Sequence, residues 1–259
     1  MEMDFNNLYA EHYDRLFAAA YRLTGRKEDA EDVIQEAFLN AYKAYHEFHG
    51  KSMLSTWLYR IVINCSYRYI KKQTKLPVVD ISSQLNMSQN EFFEMIKSEE
   101  SVEEVVLTND MRETCLQLFL KCIPAKQRIA FVLKVLLRLS VEEVAAIMDI
   151  SAGAVKTNVY RARLSMKDNM EDKCSYINPN NPCYCKNWVA YAIKNNKMDQ
   201  IPSIRLQNTT NYEEIYNTEI DFLSKVVMLY NNYPERQSYE EFINKLKGMI
   251  SSHSLELLS

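Results

Sequence analysis

Apolar residues recur at helical spacing along most of the chain. Between residues 5 and 24, Phe5, Leu8, Tyr9, Leu16, Phe17, Ala20 and Leu23 share one face, and Thr24-Gly25 supplies a stop. From about Lys27 to Phe48 a second stripe comprises Ala30, Val33, Ile34, Ala37, Phe38, Ala41 and Tyr45. After a polar loop at His49–Ser55, a third stripe of Leu58, Ile61, Val62, Cys65 and Tyr69 predicts a helix over Thr56–Lys72. Its opposite face carries Arg60, Asn64, Tyr67 or Arg68, and Lys71, so one side is apolar and the other basic and aromatic-flanked.

From Pro77 to about Asn109 the chain turns polar and increasingly acidic, the pattern of a linker with one short helix around Glu91 to Lys97. A second helical domain follows from Asp110 to Met170. Beyond Cys174, Phe222, Leu223, Val226, Val227 and Tyr230, then Phe242, Ile243, Leu246 and Ile250, mark further amphipathic helices. The fold expected is all-α: two small helical domains at 1–76 and 110–170 joined by a flexible linker at 77–109, with a Cys-containing helical extension at 171–259.

Composition agrees with that pattern. Four glycines and six prolines are too few for a turn-rich β fold. No apolar run approaches the ~18 residues of a membrane span, and the first residues lack the basic and apolar regions of a signal peptide. Six cysteines in a chain of 259 residues do not make a secreted disulfide scaffold. These features predict a cytoplasmic protein with no membrane partner.

Charge changes the picture more. The net charge of −3 by itself argues against nucleic acid, but the charges are segregated. Residues 28–36 (EDAEDVIQE) hold five acids and no base, whereas 51–76 hold six bases and no acid. The seventeen residues from Ser151 to Lys167 are also free of acids, with Lys156, Arg161, Arg163 and Lys167 as cations. Patches of opposite sign predict two kinds of partner.

Residues 139–166 (LSVEEVAAIMDISAGAVKTNVYRARLSM) have the form of a helix-turn-helix. Ser140 with Glu143 three residues on is a capping box, and Val144, Ala145, Ile147 and Met148 supply the first helix's buried side. Asp149-Ile150 makes the turn. Ser151 caps a second helix that packs through Ala154, Val155, Val159 and Leu164 and projects Lys156, Thr157, Asn158, Arg161 and Arg163. A helix lying in the major groove needs exposed donors near its start and cations farther along. A small domain with a solvated basic face would share the pattern; the turn spacing and the missing acids favour DNA.

Together, LTGRKEDAEDVIQEAFLNAYKAYHEFHGKSMLSTWLYRIVINCSYRYIKK and IPAKQRIAFVLKVLLRLSVEEVAAIMDISAGAVKTNVYRARLSM, in this order, resemble an extracytoplasmic-function (ECF) sigma factor of bacterial RNA polymerase over about residues 5–170. The resemblance implies a promoter-specificity subunit acting in the bacterial cytoplasm, with sigma region 2 at 1–76 and region 4 at 110–170. It implies that Asp29, Asp32, Gln35, Glu36 and Asn40 dock on the polymerase β′ clamp helices, region 4 meeting the β flap. It implies that Lys51, Ser52, Met53, Trp57, Arg60, Asn64, Tyr67, Arg68 and Lys71 capture unpaired −10 bases, and that Lys156, Thr157, Asn158, Arg161 and Arg163 read the −35 duplex. Melted DNA is held by stacking surfaces for extruded bases and cations for phosphates; Trp57 and Tyr59 fit either that role or a place in the core. Two positions depart from the family pattern. Asp149 stands where Gly is usual, and Asn158 where Arg is common, which suits a bidentate contact to adenine. An anti-sigma factor or an activator is a further partner the resemblance allows.

Cys174, Cys183 and Cys185 form a C-x8-C-x-C pattern within CSYINPNNPCYCKNW. Three readings stay open: zinc bound with a fourth ligand such as His253, a redox switch, or a packed structural turn. Cys65, Cys115 and Cys122 lie in apolar helix patterns as packed thiols. No cofactor is required by the sigma reading. An enzyme is not expected, since no HExxH, glycine-rich phosphate loop or Ser/His/Asp constellation appears and His12, His46, His49 and His253 are scattered. The alternative function is a free-standing helix-turn-helix regulator, which leaves the acidic second helix and the basic third helix unexplained. The extension either packs on the sigma domains or offers a docking surface.

Overall fold

The computed structural model describes residues 5–50, 52–70, 74–97, 105–201, 221–231, 233–235 and 237–256. Its α-helices are α1 (Phe5–Thr24), α2 (Lys27–Ala44), α3 (Leu54–Ile70), α4 (Pro77–Gln84), α5 (Gln89–Met95), α6 (Val105–Lys121), α7 (Ala125–Phe131), α8 (Val141–Met148), α9 (Ala152–Met170), α10 (Cys185–Lys194), α11 (Phe222–Leu229) and α12 (Tyr239–Glu256). They form two compact units, each assembled from separated stretches. The first comprises Met1–Lys71, Ile129–Val159 and Glu235–Ser259; the second comprises Lys72–Arg128 and Tyr160–Pro234.

In the first unit α1, α2 and α3 pack on one another along the predicted stripes. Leu16, Phe17, Ala20, Val33, Ile34, Ala37, Phe38, Leu58 and Val62 are all buried there. Gly25 ends α1 at φ 82°, a left-handed value that a side chain would strain. Glu28 and Asp29 lie in the first turn of α2, where carboxylates suit the helix dipole. A 3-10 turn, Tyr45–Glu47, follows α2, so the helix stops short of Phe48.

The last helix of the chain belongs to this same core. Phe242 of α12 is fully buried, with ring centroids 5.1, 5.4 and 4.9 Å from Tyr9, Tyr13 and Phe38. The Tyr9 hydroxyl donates to the Gln237 carbonyl at 3.1 Å. Hence part of the extension packs on region 2, one of the two arrangements the sequence leaves open. Burying Phe242 contributes about 2–3 kcal/mol by area alone.

The second unit holds a correction. The segment expected to be a flexible linker with one short helix around Glu91 to Lys97 does hold that helix as α5, but it also holds a second, α4, and both are packed. Leu76, Val78, Phe92, Phe93 and Ile96 form their shared buried cluster, and Phe92 lies 5.4 and 5.6 Å from Trp188 and Tyr191 of α10. Helices of seven or eight residues are too short to show a period, and their polar letters fall on exposed faces. Two local signals did mark them: Pro77 in the first turn of α4, and the capping box of Ser88 with Glu91 on α5. Buried Arg128 closes the end of α6, donating through Nη2 to the Lys121 and Ile123 carbonyls at 2.9 and 3.0 Å. The Tyr230 hydroxyl likewise donates to Leu116 in α6 at 2.6 Å.

Candidate nucleic-acid interface

The five acidic-stripe residues of α2 are not equivalent. Asp32 is exposed, Asp29 is half-buried and Gln35 is buried. Glu36 forms an ion pair with Arg68 of α3, and the Asn40 amide donates to the Cys65 thiol at 3.5 Å. Burial and the neighbouring Glu36 carboxylate push the Cys65 thiol up to about 11. The α12 side of α2 is a different one. There Glu31 pairs with Lys27 at 3.9 Å, and burial raises its carboxyl above the usual range while Lys27 and Lys245 oppose that rise. Helical spacing sets Glu31 and Phe38 on one face and Asp32, Glu36 and Asn40 on another. The C-terminal helix therefore leaves the Asp32 face uncovered.

On α3, Arg60, Asn64, Tyr67 and Arg68 are exposed and share the predicted face. Ser52 is exposed in the preceding loop, where Met53 keeps 64% of its surface. Trp57 is half-buried and sits 5.1 Å from the Phe48 ring, which in turn lies 6.4 Å from Tyr45. That placement packs one face of the indole against Phe48. Tyr59 is buried in the core, so it offers no stacking surface. Arg68 also lies over the Tyr69 ring at 5.1 Å. Lys51 and Lys71 lie outside the described residues.

The first helix of the helix-turn-helix, α8, packs against α3 within the first unit, and the Arg60 guanidinium donates to the Ala146 carbonyl of α8. Nothing in the sequence signals this contact, because the two residues are 86 positions apart. The turn itself is as expected. The Ser140–Glu143 capping box is complete at 2.7 and 3.1 Å, and Asp149 holds φ 53°, ψ 51° in the left-handed region. Ser151 accepts from the Ala154 amide at 3.1 Å to start α9. Lys156, Arg161 and Arg163 stand exposed. Thr157 and Asn158 are differently placed: their side chains donate back to Gly153 and Ala154 at 3.0 and 2.9 Å. An adenine contact by Asn158 therefore requires its amide to leave Ala154. Tyr160, four residues after Lys156, is an exposed aromatic on the same helix, with 62% of its surface free, and its helical spacing is visible in the sequence.

The cysteines do not support zinc. Among the described residues no group of three or more Cys, His, Asp or Glu side chains has the arrangement to hold a metal ion. Cys174 and Cys183 are paired by a backbone bridge, and the Trp188 indole donates to the Cys183 sulfur at 3.2 Å. Burial, with a lesser push from Cys174, drives the Cys183 thiol up to about 12; Cys185 and Cys174 are likewise raised by burial. Cys115 of α6, far off in sequence, lies within electrostatic reach of Cys174 and Cys183. The bridge and the indole contact pack Cys174 and Cys183 into this turn. The side chain of His253 lies outside the described residues.

The comparisons with known proteins follow this geometry. The sigma-70 region 2 family matches residues 8–76, and the sigma-70 region 4 family matches residues 113–166. The chain is 33% identical over 168 residues to the ECF RNA polymerase sigma-E factor of Escherichia coli K12, covering 64% of this chain and 86% of that protein. It is 30% identical to the ECF RNA polymerase sigma factor SigW of Bacillus subtilis, covering 65% and 89%. This chain belongs to the ECF sigma factors. A solved sigma factor, RpoE of Bartonella quintana in complex with the anti-sigma factor NepR, is 21% identical with a TM-score of 0.42 over 64% of this chain and 95% of its own. As an ECF sigma factor the protein binds core RNA polymerase and promoter DNA and directs transcription initiation, in a family that is not catalytic. The matched regions end at residue 166, so the sigma factor carries its extension beyond them. No described helix is long and apolar enough to cross a membrane.

Proposed function

We propose that the two DNA-reading modules divide the work as their exposed faces suggest. The outer face of α2, led by Asp32 with Asp29, Glu36 and Asn40 beside it, docks on the β′ clamp helices, with buried Gln35 supporting that face from beneath, and region 4 meets the β flap. The loop at 51–54 and the outer face of α3 hold unpaired −10 bases, with Ser52, Met53, Asn64 and Tyr67 touching bases and Lys51, Arg60, Arg68 and Lys71 facing phosphates. Trp57 supports that loop from inside. On α9, Lys156, Arg161 and Arg163 grip the −35 backbone while Thr157 and Asn158 turn from their own helix to bases. The protein works beside polymerase in the cytoplasm, and the reading needs no cofactor.

The observation that carries this reading is the opposition of charge on neighbouring helices. The exposed residues of α3 have no acid among them, while Asp32 is exposed and Asp29 half-exposed on α2. Engagement of a phosphate by Arg60 exchanges its bond to Ala146 of α8, so promoter opening and release of that contact go together. Transcription of genomic fragments by core polymerase with and without the protein, with 5′ ends sequenced, tests the reading. New starts should share two upstream elements. Asp32→Lys should weaken copurification with core about tenfold, as loss of a complementary interfacial charge does; unchanged copurification removes the docking role. Arg161→Ala should lower initiation only where a −35 element is present, and equal activity on every promoter would sink the −35 assignment.

A further inference from the structure

The second unit contains a cavity of about 330 Å³ that the sigma function leaves unused. Its wall is drawn from three parts of the chain: Val78 and Ile81 of α4, Leu118 and Phe119 of α6, and Trp188 and Tyr191 of α10. The volume lies within the range of small-molecule sites, about 300–1,000 Å³, which are mostly apolar with a few placed polar groups. Among the described residues lining it, Lys197 is the one that carries a charge. The Lys197 ammonium sits 5.8 Å from the centre of the Tyr191 ring. Apolar atoms around such a space lack dispersion partners that an occupant would restore.

We infer that this cavity binds an amphiphilic monoanion, an apolar aliphatic or aromatic body carrying a single carboxylate. The body fills the space between α4, α6 and α10, and the carboxylate pairs with Lys197. Charge complementarity favours the anion: a cation would be repelled by Lys197, and a neutral molecule would lack the charge-assisted hydrogen bond that a carboxylate adds. Since α6 begins the matched region 4 and α10 belongs to the extension, an occupied cavity ties the two together.

Binding is measurable without transcription, so its failure is distinct from failure of the sigma roles. The chain has two tryptophans, Trp57 and Trp188, and the full-length Trp57→Phe protein reports occupancy through Trp188 emission. Titration with sodium decanoate and with 1-naphthoate, each below aggregation, should give a saturable one-site change for one or both. Lys197→Gln, at the half-exposed rim, should weaken that binding about tenfold, the scale of a lost charge-assisted hydrogen bond. Decan-1-ol should bind more weakly than decanoate and be indifferent to the same substitution. Calorimetry on the unsubstituted chain repeats the comparison free of any effect of Trp57→Phe. Absence of saturable binding by either acid, or the same Kd in Lys197→Gln, overturns the inference.

Discussion

Asp149 joins α8 to α9 with a left-handed backbone, φ 53°, where a side chain costs about 1–2 kcal/mol relative to glycine. Asp149→Gly should therefore raise the stability of the first unit by about 1 kcal/mol, and Asp149→Val should lower it. Urea midpoints of the three proteins check both signs. The Asp was legible as a turn residue, because a short polar side chain tolerates that conformation. Phe242 was legible only as an apolar position. Its place among Tyr9, Tyr13 and Phe38 depends on contacts more than 200 positions apart, which no local pattern encodes. Phe242→Ala should destabilise the first unit by about 3–5 kcal/mol, through lost burial and the cavity left behind.

Among the elements, the long ones announced themselves, and of the short ones α5 and α8 were legible while α4 was not. The residue stripes of α1, α2 and α3 placed three helices because each repeats its period several times. α4 could be read only from Pro77 in its first turn, since eight residues barely span two turns. The cap on α8 has a measurable consequence. Glu143 holds its carboxyl below the usual value by accepting from the Ser140 amide and hydroxyl. A depressed carboxyl stabilises above its unfolded pKa and loses that contribution as pH falls through the folded one. Ser140→Ala should cost about 1 kcal/mol at neutral pH, and the difference from the parent protein should shrink as the pH drops below the ordinary carboxyl value of 4.5. Thermal denaturation of both proteins across the acid range measures it. The site behaved like the elements. Exposure of Arg60, Asn64 and Tyr67 followed from helical phase, whereas the engagement of Arg60 by Ala146, of Arg68 by Glu36 and of Asn158 by Ala154 did not.

At the scale of the whole molecule the buried thiols set an alkaline limit. In the unfolded chain they ionise near 9.0, whereas folding pushes Cys65 to about 11 and Cys183 to about 12, with Cys174 and Cys185 also raised. A group whose folded pKa is raised contributes its full stability below the unfolded value and loses it as pH climbs. Stability should hold to about pH 9 and then fall by at most about 1.4 kcal/mol per pH unit for each thiol. Urea midpoints on either side of pH 9 test this, and Cys183→Ser should flatten the slope. The sequence by itself determined the helical class, the order of regions 2 and 4, the two patches of opposite charge and the helix-turn-helix, because helical period, capping and charge runs are local properties. Only the tertiary structure decided that 77–95 is packed, that α12 completes the region 2 core, and that Cys174 and Cys183 are bridged beside Trp188. It also decided that α8 holds Arg60 on α3. Each of these depends on which distant apolar surfaces and which buried donors meet, and burial is a property of the folded chain.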